Sequence, residues 1–165
     1  MAELERANSE KVKIGDFSLL ADLHAIISGI KALFTYYTTD GLEIARQCCG
    51  GAGFAMNSGV AHKALHYKPM ITLEGENIVL YQQTARALLK TLSSIMKGKE
   101  VSNFNSYLTH VQDLVEKKCS AKSDSCFENL LEEMLQVRAA YEIMNVAMKF
   151  NEDNQDVKTK WNEVY

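Results

Sequence analysis

A chain of 165 residues with 47% hydrophobic and 24% charged residues has the makeup of one soluble globular domain, or a piece of a larger one. Its net charge of −3, with Lys and Arg dispersed among acids, offers no basic stripe for nucleic acid. No run of about 18 apolar residues is present to span a membrane, no signal peptide is recognisable, and the single proline, Pro69, favours helices.

Residues 1–16 are charged and weakly periodic, as in a frayed helix or linker, with Asp16 or Ser18 placed to cap the first long helix. From Leu20 the apolar positions run Leu20, Leu23, Ile27, Ile30, Phe34, Tyr37, Gly41, Ile44 and Cys48. Steps of three and four define one helical face, and the phase survives Thr38–Gly41, so one helix over about 17–49 is predicted, with Gly41 on its inner face. Gly50 supplies the stop. Residues 50–73 lack clear helical periodicity apart from a short turn near Val60–Leu65; their apolar content argues for an ordered loop.

A second helix is expected over about 75–97 with Ile78, Tyr81, Ala85, Leu88, Leu92 and Ile95 inward, ended by Gly98. A third is expected over about 104–118 on Phe104, Tyr107, Leu108, Val111, Leu114 and Val115. Ser125 and Glu128 form a capping box for a fourth, about 126–150, with Phe127, Leu130, Leu131, Met134, Tyr141, Met144 and Met148 inward as core fillers. The tail is polar, though Trp161 is able to dock. The expected fold is all-α, an antiparallel helical bundle over 17–150, flanked by a charged segment 1–16 and a tail 151–165.

Cys48 and Cys49 are adjacent and poorly placed for a disulfide, and Cys119 and Cys126 match no zinc spacing, so reduced thiols are expected. His24, His62, His66 and His110 form no metal pattern; His24 reads as a helix-packing or polar-face residue. Four of the nine glycines fall within Gly50–Gly59, which serves as a helix stop or as backbone that approaches a phosphate closely. Glu74-Gly75-Glu76-Asn77 opens the second long helix, and on the residues alone Glu74 and Glu76 complement its dipole.

Taken together, Arg46-Gln-Cys-Cys-Gly-Gly-Ala-Gly-Phe54, Leu73-Glu-Gly-Glu-Asn77 and Gln83-Thr-Ala-Arg86 resemble the C-terminal half of the FAD-dependent acyl-CoA oxidases, relatives of the acyl-CoA dehydrogenases. The resemblance runs from about Lys13 to Arg86, with a weaker echo to about Phe150, and it includes Leu23-His24-Ala25. It implies that Glu74 is the catalytic base that removes the α-proton of an acyl-CoA, and that the Glu74 backbone N–H helps bind the thioester oxygen, with Gly75 giving room for that approach. It also implies that Gln47, Gly50, Gly51 and Asn77 belong to the FAD site, and that the complete reaction passes a β-hydride to flavin and electrons to oxygen, giving 2-enoyl-CoA and peroxide. Two departures stand near the site: Gly50-Gly51-Ala52-Gly53-Phe54 where the family commonly has Gly-Gly-His-Gly-Tyr, and Leu73 where it has an aromatic.

Two functional readings are open. In the first, the chain is a C-terminal part of an acyl-CoA oxidase in fatty acid β-oxidation, inactive alone and completed by an N-terminal and β-domain half or another subunit in a homo- or hetero-oligomer. In the second, it is a non-catalytic, oxidase-derived helical module within a larger assembly, which Met1, Ala52 and Leu73 favour. The family implies a peroxisome, whereas the C-terminus Trp161-Asn-Glu-Val-Tyr165 is no Ser-Lys-Leu type address, so a missing terminus or another compartment, mitochondrial or cytoplasmic, is the expectation.

Overall fold

The computed structural model describes residues 2–17, 19–111, 113 and 127–151, and among them every regular element is helical. The α-helices of the described residues are α1 (Ala2–Lys13), α2 (Leu20–Cys48), α3 (Gly51–Phe54), α4 (Val60–Tyr67), α5 (Asn77–Met96) and α6 (Phe127–Asn151). Short 3₁₀ segments occupy Met56–Ser58, Lys68–Ile71 and Asn103–His110. The all-α expectation is met. Two compact units succeed each other, Met1–Ala87 and Leu88–Tyr165, with the division falling inside α5.

In the first unit α2 is one uninterrupted helix, as the apolar phase required. The face it buries is the opposite of the expected one. Ser28 and Ala32 are buried, whereas Ile27, Ile30, Phe34, Tyr37 and Ile44 are exposed; of the expected inner positions only Leu23 is buried. Gly41 is likewise exposed, and a Cβ there would meet nothing within 4 Å. The reason is size. Ala25, Ser28, Gly29 and Ala32 recur at helical spacing and let the start of α5 come close; a Cβ on Gly29 would press against Thr84 Oγ1 at 3.3 Å. The pairs His24–Gln83, Ala25–Thr84 and Ala32–Asn77 run in opposite chain directions, so the two helices are antiparallel along this seam. Tyr36 and Tyr81 extend it with rings stacked at 6.2 Å between centroids.

Other boundaries also differ from expectation. Residues 2–13 form a helix, one of the two expected forms, whereas Asp16 pairs with Lys11 at 3.3 Å instead of capping α2, whose N-cap position is Leu19 without a side-chain cap bond. Ser18 lies outside the described residues. The stretch 50–73 is a chain of short helices and not a loop. Gly50 (φ 55°) and Gly98 (φ 70°) close α2 and α5 at positive φ, as expected of helix stops.

The second unit is built on a dry cluster of Leu92, Leu108, Val111, Ala140 and Ile143, joined by Leu88, Leu89, Ile95, Tyr107, Met144 and Ala147. Residues 103–110 are 3₁₀ rather than α-helical, and Phe104 is exposed. On α6, Phe127, Leu131, Met134, Tyr141 and Met148 are exposed, against expectation; Ala140 and Ile143 are the buried pair. Apolar residues surround this helix on most sides, so their spacing marks no single inner face. Leu114, Val115, Cys119, Ser125, Cys126 and Trp161 lie outside the described residues.

Candidate functional site

Glu74 stands in the turn between Lys68–Ile71 and the first turn of α5. Its φ is 58°, and among the described residues it is the sole non-glycine at positive φ. For an L-residue this conformation costs roughly 1–2 kcal/mol, so the surroundings must impose it. Gly75 is next at φ 108°, where a side chain would be strained and its Cβ would sit 3.1 Å from Leu80 Cδ2. Glu76 takes the capping role: its carboxylate accepts from Val79 N–H at 3.1 Å and its carbonyl from Leu80 N–H at 3.1 Å. The two neighbouring glutamates thus have different work. Glu76 is spent on the helix end, and Glu74 remains on the exposed surface of the turn.

Beneath the turn lies a polar cluster that sequence reasoning missed. Lys31 Nζ, on α2, donates to Gly75 O at 2.7 Å, Asn77 Oδ1 at 2.8 Å and Ile71 O at 3.3 Å. Asn77 is fully buried; its Nδ2 donates to Thr35 Oγ1 at 2.8 Å and Ala32 O at 3.2 Å. Its amide is therefore consumed inside the chain, and its side chain offers no surface to a cofactor. Asn77 pins the first residue of α5 to α2. The signal available in the sequence was a lysine set within the small-residue face Ser28, Ala32 and Thr35.

The glycine-rich stretch lies at the C-terminal end of α2. Gly50 and Gly51 are exposed, with open space where a Cβ would be. Gly53 is different: a Cβ would overlap Arg46 O at 1.9 Å, so this glycine is required for α3 to pack against the end of α2. Between α2 and the α3–α4 stretch opens a cavity of about 530 Å³, with Phe54, Leu65 and Ile71 as apolar walls and Asp40, Glu43, Arg46 and Lys68 as its charges. Glu43 accepts from Arg46 Nε at 2.8 Å and from Gln47 Nε2 at 2.9 Å. The Arg46 bonds, then the Gln47 bond, hold the Glu43 carboxyl down to about 2. Gln47 itself is exposed.

His24 Nε2 lies 3.0 Å from Gln83 Oε1, a polar contact between α2 and α5. His62 and His66 stand ring to ring on α4 at 4.1 Å between centroids. No group of three or more His, Cys, Asp or Glu able to hold a metal occurs among the described residues. Cys48 and Cys49 are free and exposed. Among the same residues no helix is long and apolar enough to cross a membrane.

Residues 1–89 match the family described as acyl-CoA oxidase, C-alpha1 domain. Peroxisomal acyl-coenzyme A oxidase 1 of Mus musculus is 40% identical over 100 residues, which are 61% of this chain and 15% of that protein. Putative peroxisomal acyl-coenzyme A oxidase 1.2 of Arabidopsis thaliana is 36% identical over 113 residues, 68% and 17% of the respective chains. Among solved structures, acyl-CoA oxidase 1 of Arabidopsis thaliana superposes with a TM-score of 0.90 at 28% identity, over 99% of this chain and 25% of that one. Acyl-CoA oxidase-1 of Caenorhabditis elegans, complexed with FAD and ATP, gives 0.82 at 28% identity with the same coverage. The chain thus spans only a minor part of each relative.

Proposed function

Because this chain belongs to the acyl-CoA oxidase family, we propose that it supplies the catalytic base and part of the FAD site of an oxidase that converts acyl-CoA to trans-2-enoyl-CoA in fatty acid β-oxidation. The observation that carries the reading is the left-handed backbone of Glu74, an imposed conformation at the residue that matches the family's base.

Glu74 takes the α-proton, and its backbone N–H faces the thioester oxygen as negative charge develops there. Its carboxylate is exposed in this chain. The desolvation that makes a carboxylate basic therefore comes from whatever covers the turn in the complete oxidase. Gly75 keeps the approach open, and Glu76 stays committed to the helix end. When bound, FAD would supply the acceptor for the β-hydride and the route of electrons to oxygen. The exposed backbone at Gly50 and Gly51, with Gln47 at the surface, suits a pyrophosphate-bearing group, while the neighbouring cavity balances Arg46 and Lys68 against Asp40 and Glu43 and adds no net positive charge. Asn77 does not fit as a contact and serves by fixing the start of α5.

The exposed apolar stripe Ile27, Ile30, Phe34, Tyr37 and Ile44 is where we place the remainder of the oxidase or a second subunit, since burying such a stripe is strongly favourable. The chain alone is expected to hold no flavin tightly and to show no turnover. A peroxisomal location agrees with the relatives. The same stripe, with Ala52 and Leu73, also suits the second reading, a non-catalytic module.

Purifying the chain with its native partners separates the two. An assembly with stoichiometric flavin that bleaches when acyl-CoA is added without oxygen supports the oxidase; an assembly devoid of flavin supports the module.

A further inference from the structure

The geometry points to Lys31 as a positioning residue that holds the Glu74 turn in its reactive shape, an inference that rests on Glu74 being the base. An ammonium has three protons and no acceptor. All three directions at Lys31 meet an oxygen of this turn: Ile71 O before Glu74, Gly75 O after it, and Asn77 Oδ1 at the first residue of α5. Two carbonyl oxygens four residues apart are held by one nitrogen, which ties down both ends of the chain between them. Glu74 lies between the two tied carbonyls, with its backbone at φ 58°. Lys31 is only half-buried, and these partners are backbone and amide oxygens, so the group acts here as a three-way tie.

The tie has a second anchor. Thr35 Oγ1, one turn further along α2, lies 3.2 Å from Asn77 Oδ1 and accepts from Asn77 Nδ2 at 2.8 Å. The turn is thus fixed to a single helix at Lys31 and Thr35, with Asn77 shared between them. What Lys31 controls is orientation: the direction of the Glu74 carboxylate and of the peptide N–H that meets the thioester oxygen. A guanidinium presents its protons in a rigid plane and cannot converge them on the same three oxygens.

The test uses the flavin-loaded oxidase that contains this chain, with Lys31→Met, Glu74→Gln and the double variant, read by stopped-flow flavin reduction and by the flavin spectral shift on acyl-CoA binding. Lys31→Met should lower the reduction rate at least tenfold while the binding shift keeps its concentration dependence. In the Glu74→Gln background it should have no further effect, because a lost base cannot be mispositioned. On the chain alone, hydrogen exchange in residues 71–77 should accelerate at least tenfold in Lys31→Met, with exchange at 92–96 and 104–111 unchanged. Lys31→Gln, with two protons for three oxygens, should fall between parent and Met on both readouts, and it carries the test if Lys31→Met does not fold. A Lys31→Met or Lys31→Gln rate equal to the parent, with Glu74→Gln impaired, overturns the role of Lys31 and spares the base assignment. A multiplicative loss in the double variant also overturns it, as a general structural effect. A Glu74→Gln rate equal to the parent overturns both.

Discussion

The two units of this chain are held by opposite means. Leu88–Tyr165 rests on a dry cluster in which Leu108 is fully buried among Leu92, Val111, Ala140 and Ile143. In Met1–Ala87 the seam between α2 and α5 is lined by small and polar residues, and its largest fully buried side chain is Asn77. An apolar cluster stabilises through area and tolerates rearrangement. A polar seam contributes less per contact and penalises any partner left unpaired, so it fixes one geometry. The polar seam lies under the turn that carries Glu74, where geometry matters more than added stability.

Substitutions at four positions probe that contrast, from the largest expected effect to the smallest. Leu108→Ala should cost about 2–5 kcal/mol by chemical denaturation, and Leu108→Met under about 1.5 kcal/mol, because the cluster tolerates a change of shape more readily than a cavity. Asn77→Leu is similar in volume but removes one bond each from Lys31, Thr35 and the Ala32 carbonyl; a loss on the order of 3 kcal/mol is expected, and an effect as mild as Leu108→Met would erase the distinction between the units. Thr84→Val removes the hydroxyl that donates to Ala25 O at 2.9 Å and should cost about 1 kcal/mol.

The smallest effect belongs to Glu43, an exposed group screened by solvent. Its folded value is depressed from 4.5 to about 2, so its contribution is complete above about pH 4.5 and is lost as pH falls through about 2. Glu43→Gln should therefore flatten the melting temperature between these limits; an unchanged acid limb would mean that the Arg46 pair contributes nothing.

Much of this architecture was legible in the sequence. The continuity of α2 agrees with a phase kept across Gly41, and the stops at Gly50 and Gly98 with glycine's access to positive φ. The inner face of α2 is the opposite of the one its pattern suggests. Large apolar positions mark a face that gains from being covered, but the covering element here is α5, which docks on Ala25, Ser28, Gly29 and Ala32. Helices of four to eight residues between 50 and 73 are too short for periodicity to register. Glu74 stands out by motif, whereas Lys31 does not, because its three acceptors are a backbone turn and a side chain 40 or more positions away. Motif alone points Asn77 outward to FAD; its burial turns it inward.

The central claim is that Glu74 is the base that this polar seam exists to present. Its most direct test is the rate of flavin reduction by acyl-CoA in the intact oxidase carrying Glu74→Gln, with Glu76→Gln as the neighbouring control. Glu74→Gln should still bind acyl-CoA and should reduce flavin roughly a hundredfold or more slowly, while Glu76→Gln, whose loss is confined to the helix end, stays near the parent rate. Equal rates for Glu74→Gln and the parent would contradict the claim.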